Sequence, residues 1–169
     1  MSDDCRRFSM KRRALQWYTR LVRSLGHHQW FAIVMKRVGW RLDRTLLRLT
    51  NGRFDLSGPD IPTMLLTATG RRTGRPRTVP LVYVEDGRNV IVACENFGLN
   101  ETSRWPQNVL ANPAVITQIG DRSEHRLARL ATPEEVDLNM PSLLAAWPAH
   151  DTYLERTGHR QVFVLEPSD

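Results

Sequence analysis

The sequence predicts an α+β fold: about six mainly antiparallel strands that close into a small barrel, with flanking helices and a helical N-terminal segment. Three observations predict it. Short turn signals, Asp86-Gly87 and Gly120-Asp121, join neighbouring apolar runs as hairpins do. No strand–helix–strand repeat runs through the chain, which argues against a doubly wound parallel sheet. The run Arg77–Glu85 is apolar on both faces, with Val79, Leu81 and Tyr83 on one and Val82 and Val84 on the other. Such a strand expects cover twice, in a barrel or at a dimer interface.

The 169 residues suit one domain with an appendage. Residues 1–53 read as a basic helical segment packed on or preceding the barrel, and residues 54–169 as the barrel itself. The charge divides at the same place. Met1–Arg53 carries thirteen Lys/Arg against three Asp, and the remainder eleven Arg against fifteen Asp/Glu, within a net charge of +6. Ala14–Leu25 has helical period, placing Ala14, Leu15, Trp17, Tyr18, Leu21, Val22 and Leu25 on one side and Arg12, Arg13, Arg20 and Arg23 on the other. Gly26 ends it, and shorter helices follow over Gln29–Arg37 and Trp40–Leu49.

Thr63–Thr69, Arg77–Glu85 and Asn89–Cys94 then read as strands. Pro80 has no amide to give a ladder, which expects an edge or a bulge there. Ser103–Ala111 reads as a helix with Pro106 in its first turn, stopped by Asn112-Pro113. Val115–Ile119 and His125–Ala131 form a second hairpin. Thr132-Pro-Glu-Glu135 is a capping box with proline at its first helical position, opening a helix towards Trp147. A short helix over Ala149–Arg156 and a last strand over Val162–Leu165 complete the order.

Several function classes fall away. The two cysteines, Cys5 and Cys94, have no metal-ligand spacing, so no metal site is expected, and they fit a reducing cytoplasm. The longest apolar run, Trp30–Met35, has six residues, well under the ~20 of a membrane span. The basic N-terminal helix suits three surfaces: the barrel, an anionic membrane as a peripheral contact, or nucleic acid. No recognition motif accompanies the charge, so no nucleic-acid partner is expected.

The stretch Leu65–Leu81, LLTATGRRTGRPRTVPL, stands out. An apolar strand ends in a loop with two glycines and four arginines before the next strand begins. Gly70 and Gly74 permit positive φ and close backbone approach. Arg71, Arg72, Arg75 and Arg77 supply guanidinium groups suited to phosphate or carboxylate, and Thr69, Thr73 and Thr78 add hydroxyls. Successive amides in such a loop form an anion nest. The alternative is a solvated loop that keeps the protein soluble.

The residues resemble the deazaflavin-dependent nitroreductase and quinone reductase family, whose members use reduced coenzyme F420. That family has T-T-G-R-[KR]-[ST]-G-x-x-R-x-x-P-L and then Y-x-x-D-G. This chain has Thr69-Gly-Arg-Arg-Thr-Gly74, Arg77, Pro80-Leu81, Tyr83 and Asp86-Gly87. The family's S-N-[FW]-G is matched by Glu95-Asn-Phe-Gly98, and its P-x-W-x-x-N-L-x-A-N-P by Ser103–Pro113. Its Y-P-x-Y-x-x-Y reads here Trp147-Pro-Ala-His150-Asp-Thr-Tyr153, and its closing P-V-V-x-L-E-P reads Gln161–Pro167.

The resemblance implies a split β-barrel and hydride transfer from reduced F420 to a quinone, nitroaromatic or other conjugated small-molecule acceptor. It implies that Gly70, Arg71, Arg72, Thr73, Gly74 and Arg77 cradle the cofactor's acidic tail. Pro80 and Leu81 would approach its ring, Ala93, Cys94 and Asn96 would line another edge, and Trp105 and Asn108 would close the site. Trp105 equally suits a core aromatic anchoring its helix. Trp147, His150 and Tyr153 would line the acceptor pocket, with Tyr153 or His150 as the proton source. Glu95 replaces the serine common in the family, either displacing the acceptor or standing as a loop carboxylate in water. Two other readings of the barrel are a deazaflavin carrier without turnover and an FMN-dependent reductase. A homodimer fits any of them.

Overall fold

A computed structural model describes residues 17–34, 42, 45, 60–99 and 103–168. The expected helix Trp40–Leu49 falls almost wholly outside these residues. Seven strands form one antiparallel sheet: β1 (Thr63–Thr69), β2 (Pro76–Val82), β3 (Val84–Asp86), β4 (Asn89–Cys94), β5 (Ala114–Ile119), β6 (Arg122–Leu130) and β7 (Gln161–Pro167). Its order is β2-β1-β5-β6-β7-β4-β3. The helices are α1 (residues 17–26), α2 (Gln29–Val34), α3 (Arg104–Ala111), α4 (Pro133–Ala146) and α5 (Ala149–Thr157).

The expected single strand Arg77–Glu85 is two strands. It breaks at Tyr83, where the chain leaves β1 and takes up β4. β2 and β3 stand at opposite ends of the sheet order, yet one residue joins them. That junction curls the sheet into a half-barrel. The Tyr83 amide donates to the Pro62 carbonyl (3.1 Å) and fixes the corner. Pro80 on β2 lies opposite Leu65 of β1, and β1 is the one strand that β2 pairs with among the described residues, so the missing amide disrupts no second ladder there.

Both faces of this run are covered, as its pattern expects. Val79, Leu81 and Tyr83 pack inward with Met64, Leu66, Val92 and Phe163. Val82 faces outward to Val22, Trp147 and Tyr153, and Val84 lies among the residues under α4 with Ile91, Leu143 and Val164. The capping box opens α4 as predicted: Thr132 Oγ1 accepts from the Glu135 amide (3.3 Å), and Glu135 Oε2 accepts from the Thr132 amide (2.8 Å). Pro141 lies inside α4 without ending it.

The buried side of α1 differs from the predicted apolar face. Trp17 is 66 % exposed and Tyr18 and Leu21 are also exposed, whereas Thr19, Val22 and Gly26 are buried. The reason is distance. A Cβ on Gly26 would stand 2.5 Å from Trp147 Cζ2, so the helix meets the barrel along its smaller residues.

Candidate active site

The basic loop connects β1 to β2 as a single tight turn. The Gly74 amide donates to the Gly70 carbonyl (2.8 Å), the Thr73 amide to the same carbonyl (3.1 Å), and the Gly70 amide to the Arg75 carbonyl (2.9 Å). The Arg71 amide donates to Asn108 Oδ1 (3.1 Å) on α3, and the Arg71 guanidinium bonds Gln107 Oε1. An anion nest of bare amides is therefore not what the loop offers, because five of its amides, those of Gly70, Arg71, Thr73, Gly74 and Arg75, already have partners within it or on α3. Of the two glycines, Gly74 takes positive φ. Gly70 is needed for close packing instead, since a Cβ there would meet the Arg75 carbonyl and Thr73 Oγ1 at 3.0 Å.

What the loop offers is charge. Arg71, Arg72, Arg75 and Arg77 are all exposed, and the guanidinium groups of Arg72, Arg75 and Arg77 make no hydrogen bond or ion pair with a described residue. Asn108 is buried and holds the loop in place from α3. The same helix carries Trp105, three residues earlier, into the barrel, where it packs on Phe163 with ring centroids 5.1 Å apart.

Along β2, roughly 10 Å from Arg77, Pro80 and Leu81 enter the wall of a mainly apolar cavity of about 290 Å³. Ala93, Cys94, Glu95 and Asn96 line it from the end of β4, and Trp105 from α3. Trp147, His150 and Tyr153 line it from the end of α4 and the start of α5. The cavity thus gathers every predicted ring-side and acceptor-side residue except Asn108. Trp105 belongs both to the core cluster and to the cavity lining. Val22 and Phe31, from α1 and α2, also line the cavity. Sequence reasoning missed them because their contact with the barrel leaves no local signal.

Glu95 is not a loop carboxylate in water. Its side chain is 2 % exposed, and it accepts from His150 Nδ1 (2.8 Å) and Arg160 Nε (2.7 Å). Arg160 Nη2 continues to Asp151 Oδ1 at the surface (3.0 Å), and Nη1 to Met140 Sδ (3.2 Å). Arg160 was not foreseen; it lies 65 residues from Glu95 and outside every motif. On the other side of the His150 ring, Nε2 is buried and has no hydrogen-bond partner among the described residues. A buried polar atom left unmet costs about 1–3 kcal/mol.

Tyr153 is differently engaged. Its hydroxyl donates to the Gly26 carbonyl (2.9 Å) and so ties α5 to α1. Burial pushes its phenol up to about 12, against a smaller downward effect of a hydrogen bond with Trp147. Glu95 leads into a left-handed 3-10 turn over Asn96–Gly98, in which Asn96 and Phe97 both have positive φ (51° and 57°). The turn is held by Asn96 Nδ2 donating to the Leu99 carbonyl (3.0 Å) and by Phe97 packed edge-on against Tyr153.

No helix of the described residues is long and apolar enough to cross a membrane. Arg12 and Arg13 of the expected basic face lie outside the described residues. Arg20 is exposed, and Arg23 Nη2 donates to the Asp60 carbonyl (3.2 Å).

The fold and the site together are a curled half-barrel with guanidinium charge before one strand and a mainly apolar cavity at that strand's end. The family model described as F420H(2)-dependent quinone reductase matches residues 39–167, and the chain belongs to that family. The F420H(2)-dependent quinone reductase Rv1261c of Mycobacterium tuberculosis is 33 % identical over 98 residues, which is 57 % of this chain and 66 % of that relative. The match thus spans just under two thirds of the curated relative's length. Among solved structures, an F420-H2 dependent reductase (FDR-A) is similar with a TM-score of 0.58 at 33 % identity, covering 62 % of this chain and 94 % of that one. A structure described as a domain-swapped dimer has a TM-score of 0.60 at 30 % identity, covering 75 % and 94 %.

Proposed function

We propose that this chain transfers a hydride from reduced coenzyme F420 to a quinone, within a wider set of conjugated acceptors that includes nitroaromatics. The observation that carries the reading is exposed guanidinium charge leading into the same strand that walls an apolar cavity. Arg71, Arg72 and Arg77, shaped by Gly70, Thr73 and Gly74, fit an acidic phosphate and polyglutamate tail. Pro80, Leu81, Ala93, Cys94 and Trp105 fit the faces and edges of a flat ring, with Asn96 as a polar contact. When bound, the reduced deazaflavin supplies the hydride. The chain binds, aligns two flat molecules and excludes water from the space between them. Trp147, Glu95, His150 and Tyr153 form the acceptor's wall. Neither a dimer nor contact of the basic N-terminal helix with a membrane is required by this reading.

Calorimetry with oxidised F420 tests it. Binding is expected, and Arg72→Ala is expected to raise the Kd roughly tenfold to a hundredfold, the scale of one charged hydrogen bond. No heat of association with the unaltered chain would overturn the proposal. Absorbance of oxidised F420 should then return only when chain and 2-methyl-1,4-naphthoquinone are both added to the reduced form. Binding without that return would describe a carrier. FMN retained through purification would describe the flavin enzyme instead.

A further inference from the structure

We infer that Glu95 and His150 form a buried acid–base dyad that delivers the proton to the acceptor oxygen, with Glu95 and Arg160 as positioning residues and His150 Nε2 as the delivering atom. The inference rests on the proposed hydride transfer and assigns the other half of that chemistry.

Three observations carry it. His150 lines the cavity, and its Nε2 is buried with no described partner. Its Nδ1 is held by Glu95 at 2.8 Å, which fixes the ring and leaves Nε2 as the free position. Glu95 is in turn fixed by Arg160 at 2.7 Å, so the carboxylate cannot swing away. A histidine buried only for packing would have both nitrogens satisfied. Here the missing partner is supplied by whatever enters the cavity, and a carbonyl oxygen is the group that accepts from Nε2–H.

Glu95 is thus tied to both His150 and Arg160, and Arg160 continues to Asp151 at the surface. The other titratable groups nearby are Cys94, on the cavity wall, Tyr153 and Arg156 on the same helix, and His27, whose Nδ1 contacts Thr152. Tyr153 is the weaker candidate, because its hydroxyl proton already goes to the Gly26 carbonyl.

The step balances simply. Both electrons arrive with the hydride, and the acceptor becomes an oxyanion. Nε2–H gives its proton to that oxygen, so the quinone becomes the hydroquinone and His150 becomes neutral. Water returns a proton to the imidazole before the next cycle.

Two experiments test the dyad. In protein with 15N-labelled histidine and no cofactor, 2-methyl-1,4-naphthoquinone should move the His150 Nε2 resonance. An Nε2 resonance that stays put at saturating quinone would overturn the inference, and this readout does not depend on turnover with F420. In turnover from pH 5 to 9, the unaltered chain should lose rate on the alkaline side. His150→Gln keeps a hydrogen-bond donor but has no proton to give. It should lower kcat about a hundredfold or more with KM changed less than threefold, and abolish the alkaline fall. Glu95→Gln should move that fall to lower pH while leaving the Kd for F420 unchanged; where it unfolds, the resonance and His150→Gln decide alone. A His150→Gln chain within threefold of the original kcat, with the same pH profile, would also overturn the dyad. If the unaltered chain binds F420 but never turns over with quinone, the failure belongs to the proposed reaction, and the resonance alone judges His150.

Discussion

Glu95 and Gly98 lie in one turn, and each shows how a single residue can mean more in space than in sequence. Glu95 reads in the sequence as a polar loop residue. Its partners lie 55 and 65 residues away, so no local pattern could announce that it is buried and paired. Gly98 was legible within the motif, and the structure gives its physical reason. It sits at φ +66°, and a Cβ there would lie 3.0 Å from Tyr153 Cδ1 and 3.2 Å from Tyr153 Cα. The left-handed conformation alone costs an alanine about 1–2 kcal/mol, before any crowding. Gly98→Ala is therefore expected to lower the thermal midpoint by roughly 2–8 °C. A midpoint equal to that of the unaltered chain would show that this turn relaxes without loss.

At the scale of elements, signals carried by neighbouring residues were read correctly and signals carried by distant packing were not. The hairpin turns and the Thr132 capping box depend on residues a few positions apart, and both stand where expected. The buried side of α1 depends on where Trp147 sits, and it came out rotated. The break at Tyr83 depends on which strand lies alongside, and a run of alternating apolar residues does not say.

The start of α4 yields a test of its own. Glu135 is gripped by Arg129 through two bonds of 2.7 Å and by the Thr132 amide, and these hold its carboxyl down at about 2. In the unfolded chain the carboxyl titrates near 4.5. The unfolded state therefore binds more protons between these values. The stabilisation is present above pH 4.5 and is lost as pH falls through about 2. Glu135→Gln should flatten the fall of the thermal midpoint over that range. An equal slope in both chains would mean the clamp contributes nothing to acid stability.

For the whole molecule, the α+β class and the antiparallel barrel were legible because turn residues and alternation state them directly. The sheet order was not, since β1 pairs with β5 and β6 with β7 across long intervals of chain. That order sets a gradient of protection. β6 and β7 have partners on both sides, whereas β2 and β3 have one each. Hydrogen exchange should be slowest in β6 and β7 and fastest in β2 and β3. Binding of F420 should slow β2 most, because that strand follows the basic loop directly and carries Arg77 and the cavity wall; equal slowing of β6 would point to a site elsewhere.

The one-residue link at Tyr83 has a last consequence. The two outermost strands have no ladder to each other, so the barrel's rims meet as a seam fastened at a single clasp. The cavity opens beside that seam, where Pro80–Val82 faces Ala93 and Cys94. A planar guest seated there would displace no hydrogen bond of the sheet.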